Sequence, residues 1–275
     1  MSKLSDNIKK RRWELNMTQD ELAKKIGYKG RASINKIENG ESDVPTSKIE
    51  SFAEALDVSV AWLMGLESPN IEIGEEGYLE VLAGKLRENE FKAEFFLTSE
   101  EAVDYILKRC TYKTVGLGSS STLVQMGLIK KLEEADCEIF YASETRSNFD
   151  SERKAITANV FILTANGISY ETGEMVNMSH KTSRIAGSLF GPDEIIFVIG
   201  KNKITPNLSD AINKVRNVTM PKICKERSYR TPCVESGMCE DCHSTDRACR
   251  VMCVYYRKPE LVNMTVILID ENLGS

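Results

Sequence analysis

The stretch 18–40, TQDELAKKIGYKGRASINKIENG, decides the architecture of the amino-terminal part of the chain. Thr18 followed by Glu21 is a capping box, in which a hydroxyl and a carboxylate satisfy orphan backbone donors where a helix begins. Leu22, Ala23 and Ile26 give that helix one apolar side, and Gly27 stands where it should stop. A turn through Tyr28, Lys29 and Gly30 leads into another helix from about Arg31 to Asn39, anchored by Ile34 and Ile37 and ended by Gly40. The pattern is a helix-turn-helix, whose later helix can enter a DNA major groove about 12 Å wide.

Outward from this stretch, residues 4–65 predict five short helices sharing one small core. Leu4, Ile8 and Leu15 mark one face of the first. Pro45, Thr46 and Ser47 open a fourth that buries Ile49, Phe52, Ala53 and Leu56, and Val60, Trp62 and Leu63 form a fifth closed by Gly65. Residues 66–77, LESPNIEIGEEG, combine Pro, two Gly and four Glu without periodicity, as a linker does. The expected division is therefore a DNA-binding domain over 1–66, a linker over 67–77 and a second domain over 78–275.

Charge supports the same division. The 275 residues carry 36 Lys plus Arg against 41 Asp plus Glu, a net charge of −5 that by itself argues against a nucleic-acid partner. Residues 1–40, however, hold ten basic side chains against five acidic ones, a patch of +5 that the average conceals. At 28% charged and 41% hydrophobic, the chain is neither a disordered segment nor a rod. Its apolar runs fall short of the roughly 18 residues a membrane span needs. The opening MSKLSDNIKKRR leads into Trp13, Glu14 and Asn16 instead of an apolar signal core, so a cytoplasmic protein with no membrane contact is expected.

Beyond the linker the pattern changes to short apolar runs, at Thr114 to Leu117, Glu138 to Ala142, Val160 to Ala165, Ile195 to Ile199 and Thr265 to Ile269. Helix-like segments separate most of them: Tyr78 to Lys92, one opened by Thr98 with Glu101, Thr122 to Ala135, and Leu208 to Val218. This alternation predicts an α/β domain with a mainly parallel sheet covered on both faces. The run Val115 to Leu123, VGLGSSSTL, places glycines and three serines between a strand and a helix. Such a loop either accepts an anion on its backbone N–H groups or uses glycine only to turn tightly. His180 is open to two readings, an acid or base near neutral pH and an exposed loop residue. Glu171 and Glu174 likewise read as a carboxylate pair or as solvated loop acids.

Five of the eight cysteines fall in 233–253, as Cys233-x5-Cys239-x2-Cys242-x6-Cys249-x3-Cys253. Clustered thiolates suit zinc or an iron–sulfur cluster, because soft sulfur binds both and the metal fixes a loop poor in apolar residues. A redox-active thiol pair and plain reduced cysteines are the other readings, with His243 as a substitute ligand or a bystander. Cys110, Cys137 and Cys224 stand alone in apolar patterns, as core or surface thiols do.

Residues 5–65, through TQDELAKKIG, SINKIENG and SVAWLMG, resemble the Cro and phage-repressor (XRE) type of helix-turn-helix protein. The resemblance implies that Gln19 meets a phosphate and that Arg31, Ala32, Asn35 and Lys36 face the groove, with Lys29 and Ser33 completing the contact set. It also implies a homodimer on double-stranded DNA. From about residue 78 to the carboxyl terminus, TANGIS, GPDEIIFVIGKNKI and the cysteine segment resemble the LUD (lactate-utilisation) domain family. Its fold is similar to that of ribose-5-phosphate isomerase, glucosamine-6-phosphate deaminase and the CoA transferases. That resemblance implies a ligand site at the carboxyl ends of the strands, with Gly118, Ser119, Ser120, Ser121, Asn166, Glu174, Arg184, Asn202 and Lys203 as candidates. It also implies a metal or cluster on Cys233, Cys239, Cys242 and Cys249. Family members carry an Asp-Gly-x-Gly-Asn-Arg run where this chain has Ser179 to Arg184, and Arg184 alone of that run is shared.

The two resemblances together imply a DNA-binding transcriptional regulator whose LUD-like domain senses a small anionic effector, redox state or metal. The alternative is an enzyme acting on a sugar phosphate, hydroxy acid or acyl-CoA, with the DNA-binding module regulating its own synthesis. No Ser-His-Asp order, zinc-protease motif or nucleotide fingerprint names a reaction, which favours the regulator over the enzyme.

Overall fold

The computed structural model describes residues 3–15, 17–58, 60–64, 77–142, 149–181 and 183–274. The chain divides into two compact units, Met1–Ile71 and Glu72–Ser275. The boundary falls among residues 65–76, so most of the expected linker lies outside the described residues. Among those described, no helix is long and apolar enough to cross a membrane.

The first unit comprises α1 (Lys3–Glu14), α2 (Gln19–Lys25), α3 (Arg31–Glu38), a 3-10 turn at Thr46–Lys48, α4 (Ile49–Ala55) and α5 (Val60–Leu63). The capping box at α2 forms as read, with the Thr18 hydroxyl accepting from the Glu21 N–H and the Glu21 carboxylate accepting from the Thr18 N–H. Gly27 follows at φ +76°, the left-handed turn that ends the helix. Ile8, Leu22, Ile34, Phe52, Leu56 and Leu63 make the buried centre. Leu15 is not part of it: α1 stops at Glu14, and Leu15 beyond it is exposed.

The second unit opens with α6 (Tyr78–Glu88), followed by β1 (Lys92–Phe96), α7 (Ser99–Cys110), β2 (Thr114–Gly118), α8 (Ser121–Gln125) and α9 (Leu128–Glu134). It continues through β3 (Glu138–Ala142), α10 (Phe149–Ile156), β4 (Val160–Leu163), β5 (Gly167–Ser169), β6 (Met175–Ser179), α11 (Ser183–Gly187) and β7 (Glu194–Gly200). A 3-10 turn at Lys201–Lys203 then precedes β8 (Ile204–Thr205), α12 (Leu208–Lys214), a π turn at Val215–Thr219, α13 (Met220–Glu226), α14 (Pro232–Ser236), β9 (Val251–Tyr255) and β10 (Met264–Ile269). The main sheet has the order β1-β10-β7-β4-β2-β3, and every pairing in it is parallel.

Alternation along the central strands serves both faces. Ile195, Phe197 and Ile199 of β7 join α6 on one side, while Ile196 and Val198 join α7, α8 and α9 on the other. A smaller mixed sheet, β8-β5-β6-β9, was not foreseen from the sequence. Met175 of β6 packs into the core under α6, and its neighbour Val176 packs against α12 and α13. Two predicted helices also differ. The one expected over 122–135 is split at Gly127, whose φ of +71° no helix accommodates. The one expected to reach 92 ends at Glu88, because Glu90 turns at φ +67° and Lys92 already pairs with Thr265.

Candidate functional site

Strands β2, β4 and β7 are neighbours at the centre of the main sheet, so the loops leaving their carboxyl ends meet at one place. Open parallel sheets take their ligands at such an edge. The loop after β2 supplies Ser119 and Ser120 and leads into Ser121 at the start of α8, the one after β4 supplies Thr164, and the turn after β7 supplies Lys203.

Lys203 is 2% exposed, and its ammonium donates to the Thr122 hydroxyl at 2.6 Å and the Thr164 hydroxyl at 2.7 Å. Arg184, from α11, is 7% exposed. Its guanidinium donates to the Thr164 carbonyl at 2.8 Å and the Asn177 side-chain carbonyl at 2.6 Å, with the Ser119 carbonyl at 3.5 Å. Thr164 thus touches both cations. Among the described residues neither cation has a carboxylate at ion-pair distance. Arg184 Nε and Asn177 Nδ2 are buried without a hydrogen-bond acceptor among the described residues. Burial of a charged group is costly unless it is paired. Burial, reinforced by the positive charges of Arg184 and Lys214, accordingly lowers Lys203 to about 7, and burial lowers Arg184 to about 10.

Gly118 closes β2 beside this arginine: a Cβ there would lie 3.0 Å from Leu163 Cβ and 3.4 Å from Arg184 Cγ, so its small size is what lets Arg184 approach. Arg227, just after α13, reaches Ser119 Oγ at 3.5 Å. Ser120 caps α8 through Leu123 N–H at 3.4 Å.

Other candidates stand elsewhere. Glu174 occupies the β5–β6 turn, where it accepts from Thr172 at 2.8 Å. It is three residues along β6 from Asn177, about 10 Å at 3.3 Å per residue, and takes no part in the cationic cluster. Asn202 holds the carboxyl-terminal tail, donating to the Gly274 carbonyl at 3.2 Å and accepting from Leu273 N–H at 3.0 Å. Asn166 accepts from Met178 N–H at 2.8 Å and so ties the β5–β6 hairpin together. The sequence reading missed Thr122, Thr164 and Asn177. Asn177, a carboxamide inside the buried strand MVNMS, was the one available signal. His180 sits against Tyr229, its Nδ1 3.4 Å from the phenol, with its pKa lowered by burial and then by Arg250 and Lys181.

On the helix-turn-helix, Arg31, Ala32, Asn35 and Lys36 form one exposed face of α3, and Ser33 is half-buried beside it. Lys29 is exposed in the preceding turn. The Asp20 carboxylate accepts from Arg31 N–H at 3.1 Å, which caps α3 from α2 in place of the absent side chain of Gly30. Gln19, expected to meet a phosphate, opens α2 beside Glu38. Its amide donates to Glu38 at 2.8 Å, and Glu38 is buried and held by Arg12 at 2.6 and 2.9 Å.

All eight cysteines are free. Cys233, Cys239, Cys242 and Cys249 line a single cavity together with Cys224, Arg216 and Arg247. Cys224 is the core thiol the sequence suggests, and it also lines this cavity. Cys253 lies on β9 opposite Asn177 and does not line the cavity, and neither does His243. Among the described residues no three thiol, imidazole or carboxylate groups are close enough to share an ion.

A helix-turn-helix family model matches residues 8–63, and a model of the LUD domain matches residues 79–269. Among solved structures, a restriction-modification controller protein is 34% identical over 24% of this chain and 83% of its own, with a TM-score of 0.22. A DUF162 family protein from Deinococcus radiodurans is 14% identical over 70% of this chain and 96% of its own, with a TM-score of 0.40.

Proposed function

The chain belongs to the LUD domain family and carries a helix-turn-helix module ahead of that domain; from this premise we propose that it is a transcriptional regulator that binds a small anionic effector. The effector occupies the carboxyl edge of the main sheet, and the carrying observation is the pair of buried cations, Lys203 and Arg184, with no carboxylate beside either among the described residues. An anionic group would offset the desolvation of both cations and give Arg184 Nε and Asn177 Nδ2 the acceptor they lack. Carboxylates and phosphate esters both have that chemistry, and bidentate geometry suits either to a guanidinium.

The DNA-contacting set is the exposed face of α3 with Lys29. An arginine pairs with guanine and an asparagine with adenine through two parallel hydrogen bonds, which gives Arg31 and Asn35 their roles. The regulator acts as a homodimer in the cytoplasm. Effector occupancy changes how two chains pair, and hence whether two recognition helices reach successive major grooves, about 34 Å apart.

The test is a mobility-shift titration of the full chain on an operator selected from random DNA, repeated with a panel of phosphorylated and carboxylate metabolites. At least one should change DNA affinity tenfold or more, and Lys203→Met should remove the response while leaving effector-free DNA binding intact. A panel with no effect on DNA affinity, together with no anion binding in calorimetry, overturns the sensing role.

One observation favours the enzyme reading: with Lys203 lowered to about 7, part of its amine is neutral near physiological pH and available as a base or nucleophile. Turnover of a sugar phosphate, hydroxy acid or acyl-CoA that Lys203→Met abolishes would support that reading.

A further inference from the structure

Residues 237–250 contain no helix or strand, and Met238 and Ala248 are nearly their only apolar side chains besides cysteine. A segment of that kind buries too little apolar surface to fix itself, so something else must hold it. What it presents inward is thiols. Five line one cavity: Cys224 from α13, Cys233 from α14, and Cys239, Cys242 and Cys249 from the irregular segment. Thr231 Oγ1 lies 3.2 Å from Cys233 Sγ, and Cys233 and Cys249 pack against the same buried cluster as Cys224.

We propose that this cavity is a thiolate metal centre in which Cys224, Cys233 and Cys249 supply three ligands and the Cys239–Cys242 pair supplies the fourth. Cys224 is the ligand that spacing alone does not reveal, because it precedes the cysteine segment and sits in a regular helix. The chemistry of the walls fits the group. Four thiolates around zinc, or around a four-iron cluster in its common oxidised state, leave about two negative charges to offset. Arg216 and Arg247 line the same cavity: Arg216 reaches Cys239 Sγ at 3.8 Å, and Arg247 donates to the backbone carbonyls of Cys242 at 2.7 Å and Cys249 at 3.1 Å. Asp241 braces both guanidiniums, at 3.7 and 2.9 Å, as an outer-shell partner orients inner groups. In the described conformation the sulfurs line the cavity without converging. Binding draws the irregular segment that carries Cys239, Cys242 and Cys249 in towards Cys224 and Cys233, and that free energy folds the segment.

The experiment is metal analysis and visible absorption on the full chain, purified anaerobically in reductant without chelator and then offered zinc, or iron with sulfide. One zinc per chain, or iron and labile sulfide in equal amounts with visible absorption, is expected. Cys224→Ala and Cys224→Ser should lower occupancy at least tenfold, while Cys110→Ala, a buried thiol remote from the cavity, should not. Should neither Cys224 variant fold, X-ray absorption on zinc-loaded Cys239→Ser/Cys242→Ser counts three sulfur ligands if Cys224 binds and two if it does not. A chain that takes up neither metal, or a Cys224→Ala protein that retains full occupancy, overturns the proposal.

Discussion

Lys203 makes the clearest demand on the chemistry of its surroundings. Burial lowers it from the ordinary 10.5 to about 7, so between those values the unfolded chain holds a proton that the folded protein has released. Stability of the effector-free protein therefore rises as pH goes from 7 towards 10, and the full penalty, about 5 kcal/mol, is felt below pH 7. A bound anion raises the lysine again and brings a proton with it. Sulfate, which does not titrate in this range, should bind more tightly as pH falls from 9 to 7, by up to about tenfold per unit, and then level off. Calorimetry in buffers of different ionisation enthalpy would register the proton uptake, and Lys203→Met should bind weakly with a flat pH profile. Equal affinity at pH 9 and pH 7 in the unsubstituted protein would contradict this. The other buried ion is paired: Glu38 meets Arg12 through two hydrogen bonds. Glu38→Ala strands a guanidinium and should cost about 3–5 kcal/mol. Both tryptophans, Trp13 and Trp62, lie in that unit, so fluorescence during urea unfolding reads it alone.

At the scale of elements, the sequence announces what has a period or a cap. Thr18 with Glu21 and Thr98 with Glu101 form the capping boxes they spell, and the five apolar runs become β2, β3, β4, β7 and β10. The small sheet was illegible because β8 has two residues and β5 three, too short for alternation to register, while β6 is buried along its whole length. The ligand edge was half legible for a related reason. The serine loop and Lys203 stand at strand ends that periodicity locates, whereas Thr122, Thr164 and Asn177 join them only through the parallel order β7-β4-β2, which no local pattern encodes. Glycines distinguish packing from permissiveness. A Cβ on Gly116 of β2 would lie 2.1 Å from the Ala155 carbonyl, whereas one on Gly84 in the middle of α6 meets nothing within 4 Å. Gly116→Ala should thus cost about 3 kcal/mol, and Gly84→Ala should stabilise by about 0.5–1 kcal/mol. Thermal melts of the two variants should move in opposite directions.

At the scale of the whole molecule, charge is divided between the two units and not averaged over them. Residues 1–66 carry eleven basic against ten acidic side chains, and the remainder carries 25 against 31. A chain of net charge −5 can still bind a polyanion if its cations are presented on one small unit, since at physiological salt charges more than about 8 Å apart are largely screened. DNA affinity of the full chain should then fall linearly on a log–log scale with salt, with a slope near −0.9 per phosphate neutralised. Lys29→Gln and Lys36→Gln should each flatten that slope by about 0.9 per chain if the side chain meets a phosphate. Lys130→Gln and Lys131→Gln, equally exposed but on α9 of the acidic unit, should leave it unchanged. Lys36 adds a finer distinction, because a lysine that reads a base edge lowers affinity for the operator more than for random DNA, whereas a phosphate contact lowers both alike. Slopes measured on operator and on random DNA with the same four variants separate these roles, and a slope that responds to Lys130 and Lys131 would move the DNA surface to the other unit.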